Sequence, residues 1–161
     1  MQAMPVAPPT REALALDVAA SIVRQIDGAI HASVALLTTG EPRILVSTDE
    51  RIDTVGDPCD EPAAAVLRTG HIVRVPTVER NTDFPDYIAK CRRLGISSMA
   101  GFPIKDAALR TVGVLTITSA DHHGFGTSDL IAGRRTAEQL ARVLCKPSFT
   151  ERPPAAEQIA Q

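Results

Sequence analysis

Cys91 stands in the run Lys90-Cys91-Arg92-Arg93, and a thiol among three cations is the setting that lowers a thiol pKa and favours nucleophilic attack or oxidation. The other cysteines, Cys59 and Cys145, lie at wide, unequal spacing that makes neither a disulfide framework nor a zinc pattern, so all three read as free thiols. The pair His122-His123 after Asp121 invites a metal reading. Adjacent side chains on an extended loop diverge, however, and no further His or Cys sits at ligand spacing, so the pair reads as a solvated turn. His31 and His71 fall at strand edges and carry still less signal. The basic run Lys90, Arg92 and Arg93 suits an anionic ligand but reads first as a solvated helix face. Cys91 therefore reads first as an ordinary loop or helix thiol and is the one catalytic alternative, while the residues assign no metal and leave any cofactor unknown.

The elements that must hold these residues fit one domain. A chain of 161 residues, 44% apolar and 22% charged, has the composition of an ordinary globular protein. Its net charge of −2 and its five aromatics (Phe84, Tyr87, Phe102, Phe125, Phe149) supply neither the basic face nor the stacking platform of a nucleic-acid binder. The start, MQAMPVAPPT, lacks a basic and an apolar signal region, and no apolar run approaches the roughly 20 residues that span a bilayer. The expectation is a cytoplasmic protein without membrane contact.

Residues 1–9 are rich in Pro and Ala and read as a flexible lead. From Thr10, a plausible N-cap, Leu14, Val18, Ile22 and Ile26 recur at helical spacing up to Asp27-Gly28. Residues 31–38 and 43–48 are β-rich and flank the turn cluster Thr39-Gly40-Glu41-Pro42, which predicts a hairpin. Glu61–Thr69 has Pro62 near its start and Gly70 past its end, the asymmetry of a short helix. A strand at Ile72–Val75 follows, then an irregular excursion from Pro76 to Gly95 with a helical turn near Tyr87–Arg93. Strands at Ser97–Lys105 and Arg110–Ser119 precede a helix capped by Thr127 or Ser128 that runs to Leu144. The Pro-containing remainder, 146–161, reads as a disordered tail. Strands clustered without βαβ alternation predict an α+β fold with a central antiparallel sheet of five to six strands.

Three pieces now carry a family resemblance: the helix ending in Thr69-Gly70 before a strand, Leu94-Gly95-Ile96-Ser97-Ser98 leading into a strand with Pro103, and Val112-Gly113-Val114-Leu115 followed by Phe125 and Asp129. With this element order, residues 10–145 resemble a GAF domain, a relative of the PAS sensor domains of bacterial signalling. Asp83-Phe84-Pro85-Asp86-Tyr87 before the LGISS stretch looks most like actinobacterial signalling modules of this family.

The resemblance implies first and last helices packed together on one sheet face and a ligand pocket on the other, roofed by loops and short helices around Pro76–Gly95. Alternation turns Leu115 and Ile117 toward the helices and Val114, Thr116 and Thr118 toward the pocket, with Met99 and Gly101 beside them. Phe84, Tyr87, Met99, Gly101, Val114, Thr116 and Thr118 are the expected ligand-binding residues, apolar with a few hydroxyls, suited to a small neutral or weakly polar ligand. The resemblance also implies a stand-alone sensory or regulatory module in signal transduction, dimerising through helices 11–27 and 128–144 or acting on a signalling partner in trans. The enzymatic alternative is the free methionine-(R)-sulfoxide reductases built on this domain, with Cys91 near their catalytic position. Their pocket acids are replaced here by Met99 and by Thr116-Ile117-Thr118, and Cys59 stands about four residues ahead of the expected second thiol, nearer Ala63. Asn81-Thr82-Asp83-Phe84 echoes the cyclic-nucleotide motif of the family but lacks its remaining residues.

Overall fold

The computed structural model describes residues 7–38, 40–122 and 124–145. The tail expected at 146–161 and most of the expected lead lie outside these residues, as does His123. Along the chain run α1 (Arg11–Gln25), β1 (Ala29–Leu36), β2 (Arg43–Ser47), α2 (Glu61–Thr69), β3 (Val73–Val75), a 3-10 turn at Val78–Arg80, α3 (Pro85–Leu94), β4 (Ser98–Lys105), β5 (Thr111–Ser119) and α4 (Thr127–Leu144). Five strands form one antiparallel sheet in the order β2-β1-β5-β4-β3. The fold is α+β.

Local chemistry sets the helix ends. Thr10 caps α1 by accepting from the Ala13 amide at 3.1 Å, and Asp60 caps α2 by accepting from the Ala63 amide at 3.2 Å. Gly70 and Gly95 close α2 and α3 at φ 71° and 72°, a left-handed conformation that glycine adopts without a Cβ clash. The start of α4 differs from expectation: Gly126, not Thr127 or Ser128, is its N-cap. The Asp129 carboxylate accepts from the Gly126 amide at 3.2 Å, so the turn is closed from within the helix and neither hydroxyl is needed.

On one sheet face, α1 and α4 pack side by side. Ala15, Ala19 and Ile22 of α1 and Leu140 of α4 meet Val34, Phe102, Leu115 and Ile117 in the main core. Leu115 and Ile117 point toward the helices as alternation requires. Small residues bring the layers close. A Cβ at Gly133 of α4 would fall inside the fully buried Phe102 ring. Alanine there would gain about 1 kcal/mol of helix propensity but overpack the core at a cost of about 1–3 kcal/mol or more. Gly133→Ala should therefore lower stability by about 1 kcal/mol, the mid-range overpacking cost less the propensity gain, in urea unfolding. Unchanged or raised stability would show that α4 does not press on β4 at this point.

Candidate functional site

The opposite face is roofed by α2, α3 and the 48–60 loop. Ala63 and Val66 of α2 cover Ala35, Ile44 and Val114, while Tyr87 and Cys91 of α3 pack with Ile52, Val75 and Met99. The Asn81 side chain prepares α3 by accepting from the amides of Asp83 and Phe84 at 2.9 and 3.1 Å. That turn accounts for the asparagine which echoed a cyclic-nucleotide motif. The Glu61 carboxylate accepts from the Tyr87 amide at 3.2 Å, tying the starts of α2 and α3 together.

Strand register places the expected site residues on this one face. Met99 pairs with Thr118, Gly101 with Thr116, and Pro103 with Val114. Tyr87, Met99, Val114, Thr116 and Thr118 are all buried, and Phe84 packs at the edge of the α3 cluster. The roof lies directly on them. At Gly101 an added Cβ would stand 2.9 Å from a Val66 methyl, so this end of the face is occupied by α2. A cavity of about 330 Å³ opens instead on the helix side, lined by Ile72, Phe102, Pro103, Leu109 and Ala137 among others. Its lining is mainly apolar in area and includes the charged residues Lys105, Asp106, Arg134 and Glu138, whereas the buried polar groups converge on the roofed face.

Those polar groups centre on residues the sequence reading passed over. His31, taken for a strand-edge residue, is fully buried in the interior strand β1 and pairs with Thr118 of β5. Its Nδ1 lies 3.2 Å from Thr118 Oγ1, and its Nε2 lies 3.3 Å from Ser47 Oγ and 3.4 Å from Asp53 Oδ2. The Ser33 hydroxyl donates to Asp53 Oδ2 at 2.7 Å and the Lys90 ammonium to Asp53 Oδ1 at 2.8 Å. Asp53 is thus the hub that joins β1, the loop and α3. Burial pushes the His31 pKa down to about 4, against a smaller upward pull from Asp53, so the imidazole is neutral at pH 7. The acid beside Nε2 places the proton on that nitrogen, leaving Nδ1 to accept from Thr118. Thr118, His31 and Asp53 have the composition of a nucleophile relay, but Thr118 is only 1% exposed and sealed in the sheet. The relay is structural.

Cys91 has the surroundings of an ordinary helix thiol, not of an activated one. It lies in the last turns of α3 and is fully buried, and burial raises its pKa to about 11. Burial outweighs the smaller downward pull of Lys90, which is engaged with Asp53, and Arg92 and Arg93 are exposed. Cys91 should stay unmodified in the folded protein when N-ethylmaleimide labels the more exposed Cys145, and should react only on unfolding. Equal labelling rates, read by peptide mass mapping, would restore the reactive-thiol reading.

A sheet with two helices on one face and a roofed face rich in buried polar groups on the other defines an α+β domain. The GAF domain family model matches residues 10–144, and the chain belongs to the GAF family. No curated protein matches it in sequence. Among solved structures it resembles the GAF domain region of a Geobacter sulfurreducens protein, at 19% identity and TM-score 0.72, over 84% of this chain and 93% of that one. A type II free methionine-R-sulfoxide reductase from Thermoplasma acidophilum matches at 15% identity and TM-score 0.66, over 83% and 94%. The GAF domain of a two-component sensor histidine kinase from Bacillus halodurans matches at 15% identity and TM-score 0.64, over 90% and 97%. At these identities the likeness is one of fold. The neighbours named lend no support to the actinobacterial affinity read from the Asp83–Tyr87 loop.

Proposed function

We propose that this GAF domain is a sensory module that binds a small ligand on the sheet face beneath α2, α3 and the 48–60 loop. The observation that carries the reading is the set of buried polar side chains on that face: His31, Ser33, Asp53, Thr116 and Thr118. Burying polar groups costs free energy that an apolar core avoids, and such groups concentrate where a ligand is recognised. Phe84, Tyr87, Met99, Thr116 and Thr118 border the site, with Gly101 and Val114 at the end that α2 covers. The unit spans 10–145, works in the cytoplasm, and signals through a homodimer built on α1 and α4 or through a partner in trans. Both helices carry exposed apolar side chains for such contacts, Leu14 and Leu16 on α1 and Ile131 on α4. Among the described residues no helix is long and apolar enough to cross a membrane.

A native mass spectrum of the freshly purified protein tests this reading. A dimer carrying a defined extra mass is the expected result, and a ligand-free monomer would count against both parts. The fold shared with the Thermoplasma reductase favours one second reading, a thiol enzyme or redox sensor using Cys91. It predicts methionine sulfoxide turnover that Cys91→Ser abolishes, whereas the sensor is indifferent to that change.

A further inference from the structure

The charge distribution under the roof narrows the ligand's chemistry. Each oxygen of Asp53 accepts a hydrogen bond, one from Lys90 and one from Ser33, with His31 alongside. Asp60 does not. One of its oxygens caps α2 at 3.2 Å from the Ala63 amide, and the other lies 3.8 Å from Lys90 Nζ, beyond hydrogen-bonding distance, on a side chain only 13% exposed. A single ammonium is therefore divided unequally between two enclosed carboxylates, and neutral His31 adds no charge. The cluster holds an excess negative charge.

A second observation points the same way. Tyr87 is 3% exposed, and its hydroxyl makes no hydrogen bond although a phenol can both donate and accept. Of the charged carboxylates acting on it Asp60 is the strongest, and the Cys91 thiol beside it is a weak partner. The Glu61–Tyr87 hydrogen bond ties the start of α2, which carries Asp60, to the start of α3, so an unmet carboxylate oxygen and an unmet phenol lie under the same part of the roof. Lys90 holds α3 to the loop through Asp53 and draws it toward the start of α2 through Asp60.

We propose that this site takes a small ligand bearing a primary ammonium group, which donates to Asp60 Oδ2 and Tyr87 Oη and displaces Lys90 from its share of the acidic pair. The proposal rests on the ligand-binding reading of this face and deepens it. Met99 and Thr116 lie directly beneath the roof, so the ligand's remaining atoms take the place that the Lys90 side chain leaves. Because the incoming ammonium replaces the tie between α3 and α2, occupancy and roof position are coupled. A neutral or anionic ligand leaves Asp60 uncompensated.

The pH dependence follows from the groups that face Asp60: Asp53 and Cys59 from the loop, Glu61 from α2, and Lys90, Tyr87 and Cys91 from α3. Burial, and then Asp53, raise Asp60 to about 6. Protonation competes with the ammonium, so affinity should fall about tenfold for each pH unit below that value.

The test uses the full chain and three matched probes, n-butylammonium chloride, n-butanol and sodium butyrate, followed by saturation-transfer NMR at neutral pH. Binding of n-butylammonium alone is expected. Asp60→Asn, which keeps a good N-cap, should weaken it at least about tenfold, and Tyr87→Phe severalfold, with circular dichroism confirming that each variant is folded. Equal or tighter binding of n-butanol or butyrate would overturn the ammonium assignment while leaving the sensory reading in place. Binding of n-butylammonium that survives both substitutions would place it elsewhere and also overturn the proposal. Failure of all three probes to bind defeats it as well, and the native mass spectrum then decides independently whether the face binds anything.

Discussion

Replacing Asp53 with alanine should cost about 3 kcal/mol of folding stability, close to the effect of removing one partner from a buried ion pair. The carboxylate is 7% exposed and accepts from Ser33 and Lys90 within hydrogen-bonding distance, with His31 Nε2 at 3.4 Å. Its loss strands the Ser33 hydroxyl in the core and leaves the Lys90 ammonium with only Asp60 at 3.8 Å. Lys90 is 23% exposed and recovers part of its hydration, which keeps the expected loss at the lower end of the range. Asp53→Asn keeps an acceptor for Ser33 and should lose less. Urea unfolding with unchanged m-values reads both effects. A loss below about 1 kcal/mol for the alanine variant would mean that the cluster does not hold the roof to the sheet.

The second large effect is a pair of opposing proton linkages. The folded His31 pKa of about 4 lies below the free value of 6.5, so between these values the unfolded chain carries a proton that the folded chain lacks. Stability falls as pH drops through that window, by up to about 3 kcal/mol. Asp60 runs the other way: its folded value of about 6 lies above the free value of 3.8. Between those values the folded chain holds the proton, so stability rises on acidification by a similar amount. Together the two nearly cancel from about pH 4 to 6. Asp60→Asn removes one side of the balance. Relative to wild type, that variant should lose about 3 kcal/mol on going from pH 6 to 4, and His31→Gln should gain by a similar amount. Comparing each variant with wild type at every pH removes the contribution of the other carboxylates. Parallel profiles for all three proteins would show that neither group is perturbed in the folded state.

Much of the frame was legible because its signals are local. Pro62 and Gly70 bracket α2, Thr10 starts α1, and the alternation of Leu115 and Ile117 against Thr116 and Thr118 assigns the two faces of β5. These depend on residues within a few positions of one another. The cap of α4 was misplaced by one or two residues because a hydroxyl before an apolar run and a reciprocal carboxylate at Asp129 give nearly the same pattern.

The centre of the site was not legible, for a different reason. His31 reads as a strand-edge residue until β1 is known to lie between β2 and β5, which brings it to Thr118, 87 positions away. Asp53 and Lys90 come from a loop and a helix 37 residues apart, and neither segment carries a motif that names the other. The sequence neighbours of Cys91 offered the one argument for an activated thiol. In the fold its cations turn to Asp53 or to solvent while the thiol turns inward, and burial outweighs charge.

The sequence by itself therefore determined the α+β class, the GAF resemblance, the element order and which residues share a face, because periodicity and capping act over a few residues. Only the tertiary structure decided that α2 covers Gly101, that Asp53 is the hub of a buried polar cluster, and that Cys91 is sealed. Those outcomes depend on strand order and on which elements close over the sheet, and long-range packing sets both.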